Sequence, residues 1–339
     1  MKRRLFLVSL LVVLTVALFA QAQTEQVNEG GVWQPKKTIT LIVPWGAGGA
    51  SDQTARIVAS NMEPLLDIKI SVVNQPGASG ATGQKSAYDA PKDGYTWSAN
   101  ADASVATYQV QDLTPSISHK DWRSYFAIAT PCVITVNPDS AIVDWDSLVN
   151  AFQTRKVKVA TAGIGAGGHI AVETFADQLN VSYNHVPYGG GNPAVVATVS
   201  GETEVVMQLS MEVADMLRAG KLRAIAVMDD KPLNISGVAE IPSVTSFKSD
   251  FPNVVFNFGL FIPRGIPENV ATTIANAFEK AANTEQVKAF AATKGSNAVA
   301  IYGAEADAIM DNNASMIGWL MYDGGVTKIN PESLGIMKL

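Results

Sequence analysis

The residues best placed to do chemistry are glycines in loops. Gly46-Ala47-Gly48-Gly49 and Gly165-Ala166-Gly167-Gly168 are identical and lie 119 positions apart. Each follows a short apolar, β-branched run (residues 38–44 and 157–161) and precedes apolar residues at helical spacing (54–63 and 170–179). Glycine permits positive φ and lets a ligand approach the backbone with no Cβ in the way. The first N–H groups of a helix lack intrahelical partners, and the helix dipole adds partial positive charge there. A strand–glycine loop–helix unit is therefore an anion site in waiting. One such loop reads equally well as a tight turn. Here residues 76–83 form another glycine-rich loop, and Tyr188-Gly189-Gly190-Gly191 precedes a helix start at Asn192-Pro193, with Asn192 as the expected N-cap. Together they point to a site built from backbone donors.

Enzymatic readings of the same residues fail on specific points. Gly163-Ile164-Gly165-Ala166-Gly167-Gly168 fits a dinucleotide fingerprint, but the next strand, Tyr183-Asn184-His185-Val186, has no acidic residue to hold a ribose. Gly77-Ala78-Ser79-Gly80-Ala81 resembles a nucleophile elbow without its final glycine. His169 and Glu173 stand one helical turn apart, yet neither His119 nor His185 supplies a clear third metal ligand. No lysine follows either tetrapeptide as a phosphate loop requires. A secreted serine hydrolase acting on small esters through Ser51 or Ser79 is the rival reading, with no histidine–carboxylate partner identifiable for either.

The elements that must hold these loops recur along the chain. Strands are expected at residues 38–44, 69–74, 95–99, 157–161, 183–186 and 222–227. Pro64 is expected to end the first helix. Residues 268–294 read as two helices broken near Asn283-Thr284, and residues 304–321 as the last helix. This alternation predicts parallel-rich sheets flanked by helices.

The N-terminus sets an expected compartment. Lys2, Arg3 and Arg4 precede an apolar run over residues 5–19 and then Ala20-Gln21-Ala22. That is the layout of a cleaved secretory signal peptide over residues 1–22, and the run is short of the roughly 20 residues that span a bilayer. Cleavage leaves 317 of the 339 residues, enough for two domains. It also takes the net charge from −6 to −9, a poor match to nucleic acid. The single cysteine, Cys132, sits in an apolar run and reads as a buried small hydrophobe.

The same segments carry a family resemblance. Residues 43–52 (Val43-Pro44-Trp45-Gly46-Ala47-Gly48-Gly49-Ala50-Ser51-Asp52), 73–80, 90–96, 163–169, 185–190 and 219–227, in this order, resemble the solute receptors of the tripartite tricarboxylate transporter system, the Bug family. The resemblance implies a two-lobed, type II-like periplasmic binding protein with two crossover strands, lobe 1 at residues 38–130 and 257–339 and lobe 2 at 131–256. It implies no catalytic residue, cofactor or metal. It implies a monomer that captures a small carboxylate and delivers it to the large and small membrane subunits of the transporter. Carried onto this chain, the ligand-binding positions are Pro44, Trp45, Gly46, Ala47, Gly48, Gly49, Ala50, Ser51 and Asp52 from one lobe. The other lobe gives Thr161, Ala162, Gly163, Gly165, Ala166, Gly167, Gly168, His169, Tyr188, Gly189 and Gly190. The chain departs from the family at Gly168, where a serine is usual, and at Gln208-Leu209-Ser210-Met211, where small residues face the cleft.

Overall fold

The computed structural model describes residues 31–339, so the basic start, the apolar run and the cleavage pattern lie outside the described residues. Parallel strands β1 (Ile39–Val43), β2 (Ile70–Asn74) and β3 (Thr96–Ala101) are joined by helices α1 (Ala50–Leu66) and α2 (Ala81–Asp89). The short helix α3 (Asp102–Thr107) follows β3. Strand β4 (Trp122–Val136) then runs for 15 residues. A second parallel unit follows: α4 (Trp145–Thr154), β5 (Val157–Thr161), α5 (Gly167–Leu179), β6 (Tyr183–Pro187), α6 (Gly191–Val199), β7 (Val205–Leu209), α7 (Ser210–Arg218) and β8 (Arg223–Val227). The chain returns through β9 (Val255–Pro263), α8 (Glu268–Ala282), α9 (Glu285–Thr293), β10 (Asn297–Tyr302) and α10 (Ala304–Asp323).

The hydrogen-bonded order is β2-β1-β3-β9-β4-β7-β5-β6, with β8 and β10 also on β4. β4 is one strand in two sheets. Residues from Trp122 to Pro131 pair with β9, and those from Cys132 to Val136 pair with β7. The change falls at Pro131, which has no N–H to offer a ladder. The return crossing runs beside it, where Cys132 N–H bonds Val254 O and Val254 N–H bonds Met228 O. A continuous apolar core passes through both halves, including Leu41, Trp97, Ile128, Val159, Met207 and Phe258. Among the described residues no helix is long and apolar enough to cross a membrane.

Two local expectations need correcting. Helix α1 does not stop at Pro64 but continues to Leu66. Proline deletes only its own bond to the Ser60 carbonyl, and both residues are solvent-exposed, so the loss is not a buried unpaired group. Helix α6 is capped by Gly190, not Asn192, which is its second residue. The break between α8 and α9 does fall at Asn283-Thr284, with the Thr284 side chain accepting from Val287 N–H.

Candidate ligand-binding site

The duplicated tetrapeptide is real, but its structural register differs from its sequence register. Helix α1 is capped by Gly49 and α5 by Ala166, both extended at φ −74°. The preceding residues, Gly48 and Gly165, have positive φ of 82° and 73°. Their N–H groups donate to the third helical residue: Gly48 to Asp52 Oδ2 at 2.9 Å, and Gly165 to His169 Nδ1 at 3.1 Å. The two loops therefore superpose at an offset of 117 positions, two fewer than the identical letters suggest. Gly48 matches Gly165, and Asp52 matches His169. Each loop is clamped from its own helix by an N3 side chain, a variant of the capping box.

The clamps are chemically unlike. Asp52 also accepts from both Arg56 nitrogens and from Asn74 Nδ2. Burial pushes its carboxyl up, but these bonds outweigh burial and hold it below the usual carboxylate range. With Nδ1 accepting, His169 turns Nε2 toward Glu173 Oε1 at 3.3 Å, and its ring stacks on His185 at 4.2 Å. Burial and the neighbouring imidazole depress His185 to about 4, so it is neutral and can accept from the Thr161 hydroxyl at 2.6 Å. His169 and Glu173, the one pair with metal-ligand spacing, are thus engaged with each other and with the loop.

Asp52→Ala is expected to cost about 1 kcal/mol at pH 7, because it removes the acceptor of the Gly48 N–H and of Asn74 Nδ2, while the half-exposed Arg56 rehydrates. The folded-state pKa lies below the unfolded value near 3.8, so this stabilisation is present above that pH. It is lost as pH falls through the folded value. Urea denaturation of both proteins should give a gap that is flat at neutral pH and closes in acid. Equal stabilities at pH 7 would count against the clamp.

A small cavity lies between the two halves, lined by Trp45, Gly46, Gly49, Ala50, Ser51, Ala101, Ser104, Ala162, Ala166, Gly167, Gly190, Gly191, Gln208, Leu209, Glu212 and Phe258. Four helices begin on it: α1 at Ala50, α5 at Gly167, α6 at Gly191 and α7 just past Leu209. Its volume is about 30 Å³, room for about one or two waters. A small organic acid therefore enters only if the halves part or lining side chains move. Larger clefts of about 450–540 Å³ lie on outer surfaces, without converging helix starts.

Of the expected positions, Trp45, Gly46, Gly49, Ala50, Ser51, Ala162, Ala166, Gly167 and Gly190 line this cavity. The others stand elsewhere. Pro44 is buried under α2, where a Cβ on Gly83 would come within 2.8 Å of its Cα. Ala47, Gly48 and Gly189 are on the exposed outer side of their loops. Asp52, Thr161 and His169 brace loops from behind. Gly163 faces Ser79 and the Tyr188 carbonyl, Gly165 faces Gln111, and Gly168 packs on Met207 and Gln208. The Tyr188 hydroxyl bonds Glu202 outside the cavity.

The cavity also takes in Gln208 and Leu209, from the segment that departs from the family, and Gly191, from the glycine loop at residues 188–191; the residues that sequence reasoning missed are Ala101, Ser104, Glu212 and Phe258. Glu212 is the most consequential. Its Oε1 accepts the Ala50 N–H at 2.8 Å, so a carboxylate carried by α7 in one half caps α1 in the other. Its Oε2 accepts from Gln208 Nε2. Burial raises the Glu212 carboxyl to about 7, against the pull of those two bonds. The three histidines are held by Asp311, by Glu173 and Gly165, and by Thr161, so neither Ser51 nor Ser79 has the base a hydrolase requires.

Two sheets sharing a pair of crossing strands, with helix starts facing an interlobe cavity, define a periplasmic binding protein. The chain belongs to the tripartite tricarboxylate transporter family receptors, whose family model matches residues 54–319. This is a family of solute receptors, not enzymes. The chain is 26% identical to protein BugT of Bordetella pertussis over 268 residues, 76% of this chain and 80% of that one. It is 30% identical to a protein encoded in the tcbD–tcbE intergenic region of Pseudomonas sp. strain P51, covering 73% of this chain and 74% of that one. A solved periplasmic transporter shares 26% identity with a TM-score of 0.75, covering 85% of this chain and 96% of that one. MatC from Rhodopseudomonas palustris with bound malate, at 21% identity, has a TM-score of 0.76 and covers 84% of this chain and 99% of that one.

Proposed function

We propose that this protein captures a small organic carboxylate between its halves in the periplasm and delivers it to the membrane subunits of a tripartite tricarboxylate-type transporter. The observation that carries the reading is the convergence of four helix N-termini on one interlobe cavity. An acidic chain cannot hold an anion by its overall field, so the attraction has to be local. First-turn N–H groups supply it without lysine or arginine. Family membership supports the receptor role. A malate-bound and an adipate-bound protein from R. palustris share the fold, which is consistent with an acid as cargo.

We further propose that residues 38–130 with 257–339 form one lobe and 131–256 the other, opening about the crossing near Pro131 and Val255. The pairing switch of β4 at that point supports this division. The expected donor on the α1 side is the Ser51 N–H, because Glu212 already holds the N–H of Ala50. The Gly48 N–H is already taken by Asp52.

A thermal-shift screen of the purified protein against organic acids tests the reading. A true cargo at about 1,000 times its Kd should add roughly 4 kcal/mol of stability. A folded protein that no acid stabilises would rule out carboxylate capture.

A further inference from the structure

We infer that Glu212 sets the class of cargo: an acid with one carboxylate and, at its other end, an ammonium or similar cationic donor, in preference to a dicarboxylate. The inference rests on the receptor reading above and narrows it.

A carboxylate at the mouth of α1 was visible in the sequence, but Asp52 has no capacity left for a ligand. Arg56, Asn74 and the Gly48 N–H saturate it behind the loop. The acid that reaches the cavity is Glu212. Its hydrogen-bond partners among the described residues are the Ala50 N–H and Gln208, and no lysine or arginine joins them. Its seat is built to admit it. A Cβ on Gly191 would lie 2.1 Å from Oε2, and one on Gly49 would lie 3.1 Å from Oε1. Only residues without side chains leave that space.

The same wall carries a second acceptor. Gln208 is 1% exposed, lines the cavity, and its Oε1 has no partner among the described residues. A buried carboxylate without a cation calls for a cationic partner, a buried carbonyl without a donor calls for an N–H or O–H, and an ammonium group supplies both. The first N–H of α5, on Gly167, also lines the cavity and lacks an intrahelical partner by helix geometry. The site is thus polarised, with a donor at the α5 start and acceptors at the turn between β7 and α7. One carboxylate and one ammonium would satisfy both walls. A second carboxylate would face Glu212, which already occupies the leading N–H of α1.

Isothermal titration calorimetry on the purified protein, with three groups of probes, tests this. The first group is glycine, L-alanine and 4-aminobutyrate; the second is propionate and butyrate; the third is succinate and malate. An ammonium-bearing acid is expected to bind more tightly than every dicarboxylate. Glu212→Gln, which keeps shape and removes charge, should weaken that acid by about 30-fold or more and leave dicarboxylates no weaker. The inference is overturned, with the receptor reading intact, if a dicarboxylate is the tightest ligand of the unmodified protein. It is also overturned if Glu212→Gln binds the ammonium-bearing acid within about threefold of the unmodified protein. The ranking by the unmodified protein decides the matter even if the variant does not fold. If a folded protein binds none of the acids, the receptor reading itself falls.

Discussion

Gly191→Ala is expected to weaken binding of the best-stabilising acid by at least about 100-fold, near 2.7 kcal/mol. The added methyl would lie 2.1 Å from Glu212 Oε2, 2.3 Å from its Cδ and 2.4 Å from Gln208 Nε2. Glu212 would have to leave the Ala50 N–H, and it is packed too deeply to move without disturbing the turn between β7 and α7. Alanine is the better helix former, so a loss cannot be assigned to a weakened start of α6. Circular dichroism should be unchanged while calorimetry shows the loss. Affinity within a few fold of the unmodified protein would mean that this wall does not border the ligand.

Gly259→Ala should have the largest effect on stability, about 3 kcal/mol or more. Gly259 lies in β9 opposite Phe126, beside the shift of register between Phe126 and Ile128. A Cβ there would stand 1.8 Å from the Tyr125 carbonyl oxygen and 2.9 Å from Phe126 Cα. These are backbone atoms of a central strand, and no side-chain rotation relieves the contact. Urea denaturation should show a lower midpoint, and an unchanged midpoint would contradict the tight β4–β9 approach. Because β9 is one of the two crossings, a variant that does fold should also bind ligand less well.

The sequence revealed those parts of the fold whose signals are local. Strands β1 and β5 are short, buried, β-branched runs closed by glycine, and both were readable. β4 and β9 were not read as continuous strands. Pro131 interrupts β4 at the point where it changes partners, and Asn257 and Gly259 break the apolar pattern of β9 because they serve the crossing rather than a face. The site divided in the same way. Gly49, Gly167 and Gly190 announced themselves because backbone approach demands glycine. Leu209-Ser210-Met211-Glu212 passes from strand to helix without one, so residues 208–211 stand out only by departing from the family pattern and Glu212 carries no signal at all. The tetrapeptide repeat also misled by two residues, since the loops are matched by the side chain that clamps them and not by identical letters.

The strand order has a consequence for how the chain folds. β9 lies between β3 and β4 although more than 110 residues separate it from either. Until residues 255–263 arrive, the inner edges of β3 and β4 stay unpaired. Exposed strand edges invite pairing with other chains, and contacts so distant in sequence are slow to form. The N-terminal segment therefore cannot complete its sheet by itself, however native its strands and helices. A chain truncated before residue 255 is set up to aggregate, and refolding should gain its main cooperativity in one late step, as β9 inserts and joins the two halves at once.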